Sequence, residues 1–124
     1  MIHPQELRIG NYVKEPLGRI GQVLSFNHRT VKLKLKDSTL RIDTTNYKDG
    51  LDINPIPLSS DMLEVCGLEQ SNGYPFKMLG GFIKMRNGTW FYKYFNLEIE
   101  LTSLHCLQNV YHFLSGGKEL EIKL

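Results

Sequence analysis

Apolar and polar side chains alternate through most of the first third of the chain. The pattern runs through Leu7-Arg8-Ile9-Gly10-Asn11-Tyr12-Val13, and again through Gly18–Leu24 after a turn holding Pro16 and Gly18. It is cleanest in Thr30-Val31-Lys32-Leu33-Lys34-Leu35-Lys36, and Asp37-Ser38 then turns the chain into Thr39-Leu40-Arg41-Ile42. A period of two marks strands with one face in a core and the other in water. Short strands on close turns, with Gly10, Gly18 and Gly21 placed for bends, predict a small, strongly curved antiparallel sheet, an SH3-like half-barrel.

The alternation lapses over residues 44–58, which read as a polar connector crossing the surface, with a turn at Asp49-Gly50. Ser59 is then a good N-cap, Leu58 a hydrophobic staple and Gly67 a stop, which predicts a two-turn helix through Cys66. After a Ser71-Asn72-Gly73 turn the strand pattern returns in Tyr74–Leu79 and Phe82–Met85, around Gly80-Gly81. Asn87-Gly88 is the strongest hairpin signal and joins this run to Thr89–Phe95. Leu97–Leu101 alternates again, and so does Lys118–Leu124, which reads as a terminal strand. The whole is expected to be one α+β domain over residues 1–124, made of the β half 1–43, the connector 44–58 and a second part 59–124.

Between these strands lies Thr102–Gly117, whose period is helical. At about 100° per residue, Leu104, Leu107, Val110, Tyr111 and Leu114 share one arc, while His105, Asn109 and His112 share the other. With Gln108 the polar residues form an i, i+3, i+4, i+7 strip. The expectation is that the leucines face a core and that His105, Gln108, Asn109 and His112 face outward to bind a partner. The two imidazoles stand about 10 Å apart along such a helix, too far to share an ion. No metal site and no cofactor are expected.

Composition narrows the classes further. With 124 residues the chain has the length of one domain that buries its own core. A formal charge of +2 does not by itself imply nucleic acid or an anionic membrane. Cys66 and Cys106 both fall inside helical patterns beside apolar residues, so they read as reduced, in keeping with a cytoplasmic setting. The N-terminal residues lack the features of a signal peptide, and no apolar run reaches the ~20 residues of a bilayer span. The oligomeric state stays open, because the terminal strand could pair within the chain or across a dimer axis.

Two further features carry candidate chemistry. Lys32, Lys34 and Lys36 share one strand face, which Arg41 extends, and such a stripe would meet phosphates electrostatically. Trp90 and Tyr92 share a strand face with Tyr94, and open aromatics beside a cationic stripe would stack bases. This is the alternative reading, a nucleic-acid or nucleotide binder. Catalytic signatures are missing: there is no G-x-S-x-G, P-loop, H-E-x-x-H or C-x-x-C. The sequence therefore points to a non-enzymatic protein.

Three segments also resemble a known group. Glu6–Val13 (ELRIGNYV), Pro55–Ser59 (PIPLS) and Leu104–Tyr111 (LHCLQNVY) are similar, in the same order, to the ELRIGN(W/Y)V, PIPLT and HQLQNLYFALTGEEL segments of small proteins encoded by Bacteroidetes bacteria, their phages and mobile elements. His105, Gln108 and Asn109 match that pattern. Cys106 and His112 stand where it has Gln and Phe, and Gly117 interrupts its last segment. The resemblance brings no activity. It implies phage or mobile-element cargo, a setting of small binding proteins that includes inhibitors of host defence. The expectation is thus a binding protein acting on a host or phage macromolecule, with a protein as the partner and nucleic acid as the alternative.

Overall fold

The computed structural model describes residues 1–70 and 76–124, so the Ser71-Asn72-Gly73 turn and the strand start at Tyr74 lie outside the described residues. The chain is α+β, with two antiparallel four-stranded sheets and a C-terminal helix. It divides into two compact units, Met1–Ile56 and Pro57–Leu124.

In the first unit, β1 (Tyr12–Lys14), β2 (Ile20–Phe26), β3 (Thr30–Lys34) and β4 (Thr39–Asp43) follow one another in linear order. The alternation read from the sequence is realised in β3, where Val31 and Leu33 are buried and Lys32 and Lys34 exposed. Between Val23 and Ser25 the β2–β3 register shifts, a bulge that increases local twist. The first strand is shorter than its pattern, because a turn at Ile9-Gly10, with Gly10 at φ 98° and Asn11 N–H donating to the Arg8 carbonyl, interrupts it. Asn11 is buried there, with its side-chain oxygen accepting from the Arg8 backbone N–H at 2.8 Å.

Residues 44–58 do more than cross the surface. Leu51 bridges Ile2, Asn54 bridges Lys14, and Leu51 and Ile53 are buried with Val13, Val23, Val31 and Leu33 in one cluster. Leu51-x-Ile53 is itself an alternating pair, masked in the sequence by Asp49, Asp52 and Asn54. Gly50 makes the approach feasible: at φ 109°, a Cβ would stand 2.9 Å from the Ile2 carbonyl oxygen.

The second unit begins with α1 (Ser60–Val65), capped as its sequence predicts by Ser59, whose hydroxyl accepts from the Met62 N–H at 3.1 Å. A sheet follows in the order β5 (Phe76–Met78), β6 (Gly81–Arg86), β7 (Thr89–Tyr94), β8 (Leu97–Leu101), and then α2 (Leu104–Leu114). Register places Phe76, Ile83, Tyr92 and Ile99 in one row across all four strands. The opposite face carries Lys77, Phe82, Lys93 and Glu98 in a row, with Arg86 paired to Glu98 and stacked over Phe91. Lys118–Leu124 is not a strand. Gly116 and Gly117, both at positive φ, turn the chain away from α2, and Lys123 N–H donates to the Val65 carbonyl at the end of α1. Only Leu120 of its alternating apolar residues is buried, so the period there has no sheet to join.

Candidate functional site

The residues proposed from the α2 polar strip are not an outward face. His105 and Gln108 are only 3% and 2% exposed, and Asn109 and His112 are half-buried. Ser103 explains the difference. Its hydroxyl does not cap α2; it lies 2.9 Å from His105 Nδ1, and both side chains are buried. Satisfying the imidazole internally lowers the penalty for enclosing it, so the buried face of α2 takes in His105 and Gln108 beside Leu104 and Leu107. Phe113, on the far side of the helix, is left 82% exposed. His112 Nδ1 stands 3.4 Å from a Glu119 carboxylate oxygen, an ion pair once the imidazole is protonated.

The aromatic platform is not open either. Tyr92 is 1% exposed, and its hydroxyl donates to the Met78 carbonyl at 3.1 Å. Burial pushes that phenol above its ordinary range. Trp90 is half-buried, packed edge-on to Phe76, and its indole N–H is enclosed without a partner. Tyr92 therefore presents no face for base stacking, and Trp90 is only partly exposed. Lys32, Lys34, Lys36 and Arg41 are exposed as expected, all in the first unit. Arg41 Nε meets Asp43 at 3.1 Å, and the Thr30 hydroxyl and Arg41 together hold that carboxyl below the usual range.

What the sequence did not indicate is a cavity at one end of the second unit. Two hairpin turns converge there. Leu79-Gly80 joins β5 to β6 with φ values of 48° and 81°, the left-handed pair of a type I′ turn. Phe95-Asn96 joins β7 to β8, with Phe95 at φ 50°, a conformation rare for a bulky residue. Beneath the turns lies an open cavity of about 200 Å³, lined by Leu79, Tyr92, Tyr94, Leu97 and Leu114. Phe95 stands at its rim, 81% exposed, with its ring edge-on to Tyr94 at 4.6 Å.

Gly81 supports this arrangement from below. A Cβ at that position would fall 2.6 Å from both the Lys93 carbonyl oxygen and the Tyr92 hydroxyl, so glycine is what leaves room for Tyr92 in the cavity lining. The lining holds no carboxylate, imidazole or thiol, and its one buried hydroxyl is spent on backbone carbonyls. Chemically the cavity suits an apolar side chain. Among the described residues, no three His, Cys, Asp or Glu side chains gather to hold a metal, and no helix is long and apolar enough to cross a membrane.

Comparison with protein-family models, curated proteins and solved structures finds no match to this chain.

Proposed function

We propose that this chain is a non-enzymatic binding protein that engages a protein partner through the hairpin-turn end of its second unit. The observation that carries the reading is the exposed apolar cluster of Leu79, Tyr94, Phe95 and Leu97 around the cavity. Contiguous apolar side chains around a concave site are what protein interfaces bury, and a phenylalanine held in the left-handed region at its rim is a shaped projection, not a chance exposure. The partner contributes an apolar or aromatic side chain to the cavity and stacks on Phe95.

Two finer readings accompany this one. The first unit is an SH3-like half-barrel: the return of Leu51 to Ile2 and of Asn54 to Lys14, after a 3-10 turn at Tyr47–Asp49, supports it. The biological setting is the cytoplasm of a bacterium carrying phage or mobile-element cargo, with counter-defence as the role. The similarity of ELRIGNYV, PIPLS and LHCLQNVY to proteins of that origin supports it.

Affinity capture from a Bacteroidetes lysate, with and without nuclease, tests the interface. Native protein captures a nuclease-resistant protein, and Phe95→Asp or Leu97→Glu abolishes capture while leaving the Trp90 emission spectrum unchanged. Capture that survives both substitutions overturns the reading, as does capture lost on nuclease treatment.

A further inference from the structure

The solvent face of the first sheet is built differently from that of the second. In the second, Lys93 stands directly opposite Glu98, and Glu98 also meets Arg86, so cations are placed against carboxylates. In the first, Lys32 stands directly opposite Arg41 across the β3–β4 ladder. Like charges facing each other across a strand pair oppose folding. Lys34 follows on the same face between Gln22 and Thr39, and Lys36 is exposed just beyond the strand. Lys32, Lys34 and Lys36 make no ion pair with any described residue.

At the other end of the ladder, the Arg29 guanidinium lies 4.4 Å over the Tyr47 ring and donates to its hydroxyl at 3.1 Å. Stacking holds the flat cation in one orientation while its charge stays unpaired. Thr44 N–H donates to the Arg29 carbonyl at 2.7 Å, which ties this residue to the end of β4. At ~3.4 Å per residue, the cations from Arg29 to Lys36 extend over roughly 24 Å. The one carboxylate on this face, Asp43, is already held by Thr30 and Arg41. The charge imbalance is local: residues 1–56 carry nine lysines and arginines against six carboxylates, while residues 57–124 carry six against seven.

We infer that the exposed face of β2–β4 is a nucleic-acid backbone site, with Lys32, Lys34, Lys36 and Arg41 meeting successive phosphates and Arg29 forming a bidentate contact at one end. A polyanion relieves the Lys32–Arg41 repulsion that the bare sheet retains. The choice of nucleic acid over an acidic peptide follows from what surrounds the cations. The direct cross-strand neighbours of these cations are polar, Gln22, Ser25 and Thr39, and the exposed apolar side chains of this sheet, Ile20 and Leu24, are confined to β2 while the cations lie on and beside β3 and β4. Recognition by charge alone is how phosphodiester backbones are bound without sequence preference. This site belongs to the first unit, and its argument does not depend on the one proposed on the second.

Fluorescence anisotropy with a labelled 20-mer oligonucleotide, single-stranded and duplex, measures it on the full chain. Binding should weaken steeply between 50 and 200 mM salt, with log K falling, per tenfold rise in salt, by about 0.7 per phosphate contact for the single strand and 0.9 for duplex. Lys34→Gln should weaken binding several-fold on every sequence and reduce that slope by one contact. Lys32→Glu places a carboxylate opposite Arg41, so it should weaken binding yet raise the unfolding midpoint of the first unit. That pairing separates lost binding from lost folding. Lys77→Glu, on the second sheet, should leave affinity unchanged. Salt-independent binding, full affinity in the Lys32→Glu, Lys34→Gln double variant, or binding to poly-glutamate in preference to the oligonucleotides would overturn the proposal.

Discussion

Gly81→Ala asks whether the floor of the cavity has room for a single additional carbon. Gly81 is absent from the residues at positive φ, so backbone strain does not enter. The added Cβ would stand 2.6 Å from the Lys93 carbonyl oxygen, 2.6 Å from the Tyr92 hydroxyl and 2.7 Å from Tyr92 Cζ. None of these is the free end of a flexible chain. The carbonyl belongs to β7, and the phenol ring is fixed by burial and by its donation to Met78. Overpacking of this kind costs about 1–3 kcal/mol, and the smaller entropy of an unfolded alanine offsets about 0.4–1 kcal/mol of that. The net expectation is a loss of about 1–2 kcal/mol from the second unit.

Urea denaturation followed by tryptophan emission reads this directly, because Trp90 is the only tryptophan and lies on β7. Tyr92→Phe alone should cost about 1 kcal/mol as the Met78 carbonyl loses its donor. In the double variant the hydroxyl clash is gone but the contacts with the Lys93 carbonyl and the ring carbon remain, so only part of the loss is recovered. A Gly81→Ala protein within about 0.3 kcal/mol of native, or full recovery in the double variant, would refute the packing account, since neighbours in contact should couple by more than that.

Three other outcomes are expected. Burial pushes the Cys66 thiol up to about 11, so at pH 8 maleimide should label it about a hundredfold more slowly than an ordinary cysteine, judged by thiolate fraction; mass spectrometry of time points shows it, and fast labelling of both cysteines would contradict the burial. Arg19 holds the Glu15 carboxyl below its ordinary 4.5, so the linkage adds stability above pH 4.5 that is lost as pH falls through the lower folded value. An NMR titration should show Arg19→Ala raising the Glu15 midpoint, and an unchanged midpoint would sink that assignment. His105→Ala should destabilise the second unit in the Trp90 urea curve, because Ser103 loses its buried partner, while lysate capture dependent on Phe95 is unaffected; loss of capture without loss of stability would return the site to α2.

Much of the architecture could be read from residue order because its causes are local. The alternation in Thr30–Lys36 sorts side chains onto two faces whatever the strand packs against, and β3 follows it. Ser59 caps α1 through an oxygen three residues from its donor, and Asn87-Gly88 accepts the left-handed turn its residue types favour. The Lys32, Lys34 and Lys36 stripe was equally visible, since exposure of a charged strand face needs no distant partner.

Tertiary structure decided the rest, wherever a residue's environment comes from afar. Leu51 and Ile53 look like part of a polar connector until Ile2 and Lys14 supply the backbone that Leu51 and Asn54 pair with. Lys118–Leu124 alternates as well as any strand, but no ladder is offered to it, so a period of two is a capacity and not a fate. The polar arc of α2 was enclosed because Ser103 satisfies His105, a two-residue arrangement that hydrophobic periodicity does not register. The cavity is the furthest case: Leu79 and Phe95 enter left-handed turns without a glycine or asparagine at their own positions, and Tyr94, Leu97 and Leu114 meet only when four strands and a helix are stacked. Local preference selects the elements, while burial and close approach, which act between residues far apart in the chain, choose which surfaces are left for a partner to find.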